Sequence, residues 1–163
     1  MNDEIKSLAA RLGIILGERG LKVTTAESCT GGGIAYAITS VAGSSNWFEE
    51  GVVTYSNEAK QSRLQVSPAT LMRCGAVSEE VVKEMTLGAL QRTQAQLAIA
   101  VSGIAGPGGG TAEKPVGLVW VAWRFRNALL AQSFHFSGDR EQVRLQSVVE
   151  GLRGAIAVLE SNL

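Results

Sequence analysis

One histidine and two cysteines are all that 163 residues offer as soft metal ligands. A structural zinc site needs a full tetrahedral set of such side chains, so this inventory excludes one by counting. Two cysteines do not make a disulfide framework either, and the compartment reads as a reducing one. Net charge is absent too: fifteen Lys+Arg balance fifteen Asp+Glu, with a pI near 6.6. That balance gives no bulk attraction to nucleic acid or to an anionic membrane. The chain starts Met1-Asn2-Asp3-Glu4, with no basic segment leading into an apolar run, so no signal peptide is read there. No stretch approaches the roughly 20 apolar residues of a membrane span. The expectation is a soluble, cytoplasmic protein with no nucleic-acid or membrane partner.

What is present is core-forming sequence and glycine. Hydrophobic residues make up 45% and charged residues 18%, a globular composition, and the length fits one domain over residues 1–163. Nineteen residues are glycine, about 12% of the 163 where about 7% is usual. They cluster as Gly31-Gly32-Gly33 and as Gly103, Gly106, Gly108, Gly109 and Gly110. Glycine grouped in this way marks tight turns or backbone brought close to a ligand.

Periodicity places the elements. Ile5, Leu8, Ala9, Leu12, Ile15 and Leu16 recur at helical spacing, so residues 3–19 read as an amphipathic helix stopped at Gly20. Leu21 to Ala26 reads as a short strand, and after a sharp turn Ile34 to Thr39 reads as helix. Gly51 to Tyr55 is another strand, with Ser56 or Asn57 capping a short helix through Lys60 to Leu64. Ser67-Pro68 starts a helix that Gly75 stops, and Ser78 followed by Glu79 and Glu80 starts the next. Leu97 to Val101 is a buried strand running into the second glycine cluster. Val116 to Phe125 and Ala128 to Phe136 form a hairpin about Arg126-Asn127. Asp139 and Gln142 form a capping box for a long final helix carrying Leu145, Val148, Val149, Leu152, Ile156 and Leu159, apolar enough to support a homodimer. Alternating helices and strands with a late antiparallel pair predict a three-layer α/β/α sandwich on a mixed sheet. Ligands then sit beyond the carboxyl ends of the parallel strands, where both glycine clusters fall.

Several side chains there can carry chemistry. Ser28 lies between a strand and a helix and is followed by Cys29-Thr30-Gly31-Gly32-Gly33. Its hydroxyl, with the following N–H groups and the helix dipole, suits an oxyanion or a phosphate; the other reading is that Ser28 or Thr30 only caps the helix. Ala26 replaces the first glycine of an esterase elbow. Cys29 is a rival nucleophile, but a thiolate needs a positive neighbour or a base, and the sole imidazole, His135, reads as a half-buried strand residue. A Ser-His-Asp triad inherits the same difficulty. Lysine remains as the base. Lys60 stands near the start of a short helix, where a cation opposes the dipole, and burial would lower its pKa towards neutrality. Tyr55 can send a hydroxyl into the same crevice. A solvated Lys60 and a core-edge Tyr55 are the competing reading. The second cluster lacks the Gly-Lys-Ser/Thr ending of a P-loop, although Pro107 among the glycines argues for a shaped loop. Arg140, at a helix start, can bind an anion or simply lie on the surface.

Five segments taken in order resemble one family: Thr25-Ala26-Glu27-Ser28-Cys29-Thr30-Gly31-Gly32, Gly51 through Lys60, Gly75-Ala76-Val77-Ser78, Ser102 through Gly109, and Lys114-Pro115-Val116-Gly117. It is the nicotinamide-nucleotide amidase family, the C-terminal domain of the competence/damage-inducible protein CinA. The resemblance covers roughly residues 20–140, and Arg140 in Ser137-Gly138-Asp139-Arg140 fits as well. Larger members carry a further N-terminal domain for which this chain has no room, so it resembles the stand-alone form. The resemblance implies a three-layer α/β/α fold with a mixed, mostly parallel sheet. It also implies hydrolysis of the carboxamide of nicotinamide mononucleotide to nicotinate mononucleotide and ammonia, with no metal and no cofactor. On matching positions Ser28 is the nucleophile, Lys60 its base and Tyr55 an assisting hydroxyl. Backbone donors around Thr30, Gly31 and Gly32 are oxyanion candidates. Ser102, Gly103, Gly106, Gly108 and Arg140 are candidates for holding the substrate and its phosphate. A non-catalytic nucleotide-binding or scaffold domain, and an amidase for another amide, stay open on sequence alone.

Overall fold

The computed structural model of the protein describes residues 1–162, and Leu163, the last residue of the expected domain, lies outside the described residues. Five strands form one sheet in the order β2-β1-β3-β4-β5: β1 Val23–Glu27, β2 Phe48–Val53, β3 Leu97–Gly103, β4 Leu118–Phe125 and β5 Ala128–His135. β2, β1 and β3 pair in parallel, β4 runs against β3, and β5 runs against β4. Four of the five strands therefore point the same way, the mixed and mostly parallel sheet that was expected.

Strand alternation sorts the core into two. From β3, Leu97, Ile99 and Val101 face one side, joined there by helices α1 (Asp3–Arg19), α2 (Gly33–Thr39) and α6 (Arg140–Ser161). Ala98 and Ala100 face the other side, with Ala26 and Ala122, under α3 (Asn57–Leu64), α4 (Pro68–Cys74) and α5 (Glu79–Arg92). The alanines give this second face a shallow surface, so α5 can lie close to the sheet. α5 and α3 also approach each other closely: a Cβ on Gly88 would sit 2.0 Å from the Leu64 carbonyl oxygen. Each large aliphatic side chain buried in these layers contributes about 1.5–3 kcal/mol. The apolar face of α6, with Leu152, Ile156 and Leu159, is buried within the first layer, so those side chains are not exposed to a partner.

Caps set the helix ends. Asn2 accepts the Ile5 N–H at 2.8 Å ahead of α1, and Gly20 closes that helix at φ 65°. Ser56 and Ser78 cap α3 and α5, and Asp139 with Gln142 makes the reciprocal capping box of α6. Ser67 is expected as the side-chain cap ahead of Pro68, and it is not one. α4 does begin at Pro68, but the Ser67 hydroxyl caps nothing, and its N–H donates to Glu84 Oε1 at 2.8 Å. Three strands start away from their predicted positions. β1 begins at Val23 because its pairing with β2 and β3 begins there, and β2 starts at Phe48, before the expected Gly51. β2 is an edge strand in which Glu49 and Glu50, on opposite faces, pair with Lys22 and Arg92, and these two charges conceal the strand in sequence. β4 begins at Leu118, since Val116 and Gly117 belong to the preceding turn. The parallel strands β1, β2 and β3 all end on one edge, and their ends deliver Ser28, Thr54-Tyr55 and Ser102-Gly103 to a common crevice.

Candidate active site

Glu27 and Ser28 are consecutive and point to opposite faces of the sheet. Glu27 is fully buried on the first face. Its carboxylate accepts Thr30 Oγ1 at 2.6 Å, Ile34 N at 2.9 Å and Ala35 N at 2.9 Å, which ties the start of α2 to the end of β1. The Ser28 N–H extends the ladder by donating to the Val101 carbonyl at 3.1 Å, and its side chain turns towards α3. Alternation at a strand end therefore separates the residue that anchors the turn from the one that carries the free hydroxyl.

Lys60 meets that hydroxyl. It is the fourth residue of α3, and its side chain folds back over the capped end of its own helix. Nζ lies 3.0 Å from Ser28 Oγ, 2.8 Å from the Thr54 carbonyl and 3.3 Å from the Tyr55 carbonyl. Only 1% of the residue is exposed, and among the described residues no carboxylate forms an ion pair with it. Burial accordingly lowers its pKa from 10.5 to about 8. Two of its contacts are carbonyl oxygens, which only accept. A neutral amine satisfies both with its two N–H groups and keeps its lone pair for the Ser28 O–H. The solvated Lys60 of the competing reading is therefore not what the fold contains.

The turn after Ser28 controls the backbone donors. The Gly31 N–H donates to the Ser28 carbonyl at 3.0 Å and the Gly33 N–H to the Thr30 carbonyl at 3.0 Å. Of the expected oxyanion donors, Gly31 is thus already engaged. The N–H groups of Cys29, Thr30 and Gly32 have no partner among the described residues. Neither Ser28 nor Thr30 acts as a side-chain cap, because the Thr30 hydroxyl is held by Glu27 and the first free N–H groups of α2, on Ile34 and Ala35, go to the Glu27 carboxylate. Arg144, on α6, donates from Nε to the Cys29 carbonyl at 3.1 Å and from Nη2 to the Thr30 carbonyl at 3.4 Å. Cys29 is buried, and burial with the nearby Glu27 charge pushes its thiol up to about 12, so it carries no thiolate near neutral pH. His135, expected to be half-buried, is exposed at the end of β5, and it does not line the cleft.

The cleft holds about 280 Å³ and opens between the Ser28 turn, the start of α3, the Ala76-Val77 segment and the glycine loop after β3. Ser102, on the same face of β3 as Ala98 and Ala100, is 2% exposed and lines it, and its hydroxyl has no hydrogen-bond partner among the described residues. Gly103, Gly106 and Gly108 line the cleft as well. The loop is pinned at its base by Ile104 N–H to the Leu118 carbonyl, 2.9 Å, and by Gly117 N–H to the Ile104 carbonyl, 2.8 Å. Lys114 reaches across from it to the Cys74 carbonyl at the end of α4. At the mouth, Arg140 donates to the Gly106 carbonyl at 2.7 Å and to the Tyr55 hydroxyl at 3.0 Å. Tyr55 is 62% exposed, so its phenol belongs to the rim while its carbonyl holds Lys60. Among the described residues Arg140 has no carboxylate partner, and no three His, Cys, Asp or Glu side chains converge to hold a metal ion. A larger groove of about 530 Å³ between β5 and α6 contains none of these groups. No helix among the described residues is long and apolar enough to cross a membrane.

Sequence reading brought Ser28, Lys60, Tyr55, Ser102 and Arg140 to one place, and the fold puts all five on this cleft. It assigned no role to Glu27 or Arg144, which order the Ser28 turn from either side.

Residues 5–159 match the family model described as the CinA C-terminal domain. The chain is 54% identical over 153 residues to the nicotinamide-nucleotide amidohydrolase PncC of Enterobacter agglomerans, covering 93% of each protein. To the protein of that name from Pseudomonas putida it is 52% identical over 154 residues, 94% of this chain and 96% of that one. The crystal structure of the competence/damage inducible protein CihA from Agrobacterium tumefaciens superposes with a TM-score of 0.95 at 46% identity, covering 98% of both chains.

Proposed function

The chain belongs to the CinA C-terminal domain family, and from that premise we propose that it is an amidohydrolase acting on nicotinamide mononucleotide through a serine–lysine pair, without a metal. The products are nicotinate mononucleotide and ammonia. One observation carries this reading: a buried lysine amine 3.0 Å from a serine hydroxyl, with its remaining contacts made to two carbonyls.

Neutral Lys60 takes the proton of Ser28 as Oγ attacks the amide carbon. The resulting oxyanion is met by the free N–H groups of the turn, Cys29 and Thr30 being the nearest in sequence to the nucleophile. Collapse of the intermediate breaks the carbon–nitrogen bond, and the Lys60 ammonium returns its proton to the leaving ammonia. A water then adds to the acyl ester with Lys60 again as base, releasing the carboxylate and restoring Ser28. Because the Tyr55 oxygen accepts from Arg140, the phenol keeps its own proton free to assist the substrate. The unpartnered Ser102 hydroxyl is a further donor or acceptor for the carboxamide. Arg140, at the rim and without an acid partner, suits the 5′-phosphate, together with glycine-loop N–H groups.

Ammonia release from nicotinamide mononucleotide, followed by coupling to glutamate dehydrogenase, tests the reading. Stoichiometric ammonia and nicotinate mononucleotide are expected. Nucleotide binding without ammonia would make the chain a binding or scaffold domain instead, and turnover confined to other amides would move the substrate class.

A further inference from the structure

Arg144 is a partly buried guanidinium, and among the described residues its hydrogen bonds go to two carbonyl oxygens of the nucleophile turn and to no carboxylate. Those carbonyls belong to Cys29 and Thr30. A trans peptide is planar, with its C=O and N–H pointing in opposite directions. Fixing the Cys29 carbonyl towards α6 therefore fixes the Thr30 N–H away from α6. The preceding peptide is held differently: its carbonyl, on Ser28, accepts the Gly31 N–H at 3.0 Å, so the turn itself orients the Cys29 N–H. Two adjacent donors are free, one oriented by backbone and one by Arg144. The guanidinium also lies against Gly31, where a Cβ would come within 3.1 Å of Nη2 at a backbone φ of +58°.

We propose that Arg144 is a positioning residue of the hydrolysis, turning the Cys29–Thr30 peptide so that the Thr30 N–H serves as an oxyanion donor. The proposal rests on the amidohydrolase reading. The cation has a second effect in the same direction. A charged donor on the Cys29 carbonyl polarises that peptide and strengthens its N–H as a donor. Since the oxyanion exists only after attack, this assistance belongs to the transition state and not to substrate binding.

The test uses the full-length Arg144→Ala and Arg144→Lys variants, assayed for ammonia release from nicotinamide mononucleotide and examined by ¹H–¹⁵N spectroscopy. Arg144→Ala should lower kcat by about 10- to 100-fold, less than the roughly 100- to 1,000-fold lost when an oxyanion donor is removed outright. KM should change by less than about threefold. Added guanidinium ion should restore part of kcat, and Arg144→Lys, which keeps charge but loses the fork, should fall between. The Thr30 amide resonance should move in Arg144→Ala and return with guanidinium, while the Cys29 amide moves less. An unchanged kcat, a loss confined to KM, or an unmoved Thr30 amide would overturn the proposal. Absence of ammonia from the wild type would overturn the amidohydrolase reading instead, and the Thr30 amide would then decide alone whether Arg144 orients that peptide.

Discussion

Lys60 Nζ lies 3.0 Å from Ser28 Oγ across 32 residues of chain, and the amine's other two contacts are carbonyl oxygens. A lysine placed there only for charge would be expected to face a carboxylate, since an unpaired buried cation is costly. The arrangement instead favours a neutral amine, and its first consequence concerns substitution. Ser28→Ala should reduce kcat to background with Tm within a few degrees of wild type. Lys60→Arg should be as inactive as Lys60→Ala, because guanidinium keeps its proton at any working pH. Steady-state ammonia assays decide this, and near-normal activity in Lys60→Arg would remove lysine as the base.

The lowered pKa of Lys60 sets a pH profile. As a base it must be neutral in the free enzyme, so kcat/KM should rise with pH through an acid limb near 8 and level off above it. Stability follows the same group with a definite sign. Its folded pKa of about 8 is below the ordinary value of 10.5, so between these values the unfolded chain binds more protons than the folded one. Folding stability attributable to Lys60 therefore rises with pH across that window, and below it the full cost of burying the charge is present. Urea titrations at pH 7, 8, 9 and 10 should show the rise in wild type and a flatter trend in Lys60→Met. An acid limb unchanged in position when other residues of the cleft are replaced would support the assignment to Lys60.

Cys29 stands next to Ser28 and shares the burial, but with the opposite result for reactivity. Its thiol is pushed up to about 12, first by burial and then by the charge of Glu27, so it offers no nucleophile near neutral pH. Cys29→Ala should keep most of the activity, and thiol reagents should leave the wild type active on the time scale of assay. Chelators should also have no effect. Activity lost to a chelator and restored by added metal would contradict the serine–lysine route.

The strand–turn–helix pattern was legible because local signals agree. Glycines follow strands, Ser56 and Ser78 cap helices, and parallel strand ends collect ligand-binding residues. The partners of the Ser28 turn were not legible. Arg144 is more than 100 residues from the carbonyls it holds, and in sequence it is one more polar residue on an amphipathic helix. Glu27 reads as a polar residue of the turn after Ala26 until the fold extends β1 to it and brings the first N–H groups of α2 onto its carboxylate. The stretch before β2 was equally opaque. Its short 3₁₀ turn, Ser44–Asn46, leads into Trp47, whose ring packs against Gly13 and Gly17 of α1, a contact that no local pattern encodes. Long-range packing decided those elements, and periodicity carries no record of it.

Arg140 provides the test of substrate identity. It closes the rim by donating to the Gly106 carbonyl and the Tyr55 hydroxyl, both neutral acceptors, so its charge stays available to an anion. A hydrogen bond to a charged group contributes about 1.5–3 kcal/mol, which corresponds to roughly a tenfold to hundredfold change in affinity. Arg140→Ala should therefore raise KM for nicotinamide mononucleotide by about that factor. Its kcat should change less, since the guanidinium bonds to Gly106 and Tyr55 and to neither member of the Ser28–Lys60 pair. Loss of the rim contacts would also loosen the glycine loop, and comparison with the nucleoside lacking the phosphate separates the two effects. Wild type should prefer the mononucleotide over the nucleoside, and Arg140→Ala should lose most of that preference, because only the phosphate is missing between the two substrates. If the variant kept the wild-type preference while weakening on both substrates equally, Arg140 would be a loop anchor and the phosphate would have to be held by glycine-loop N–H groups.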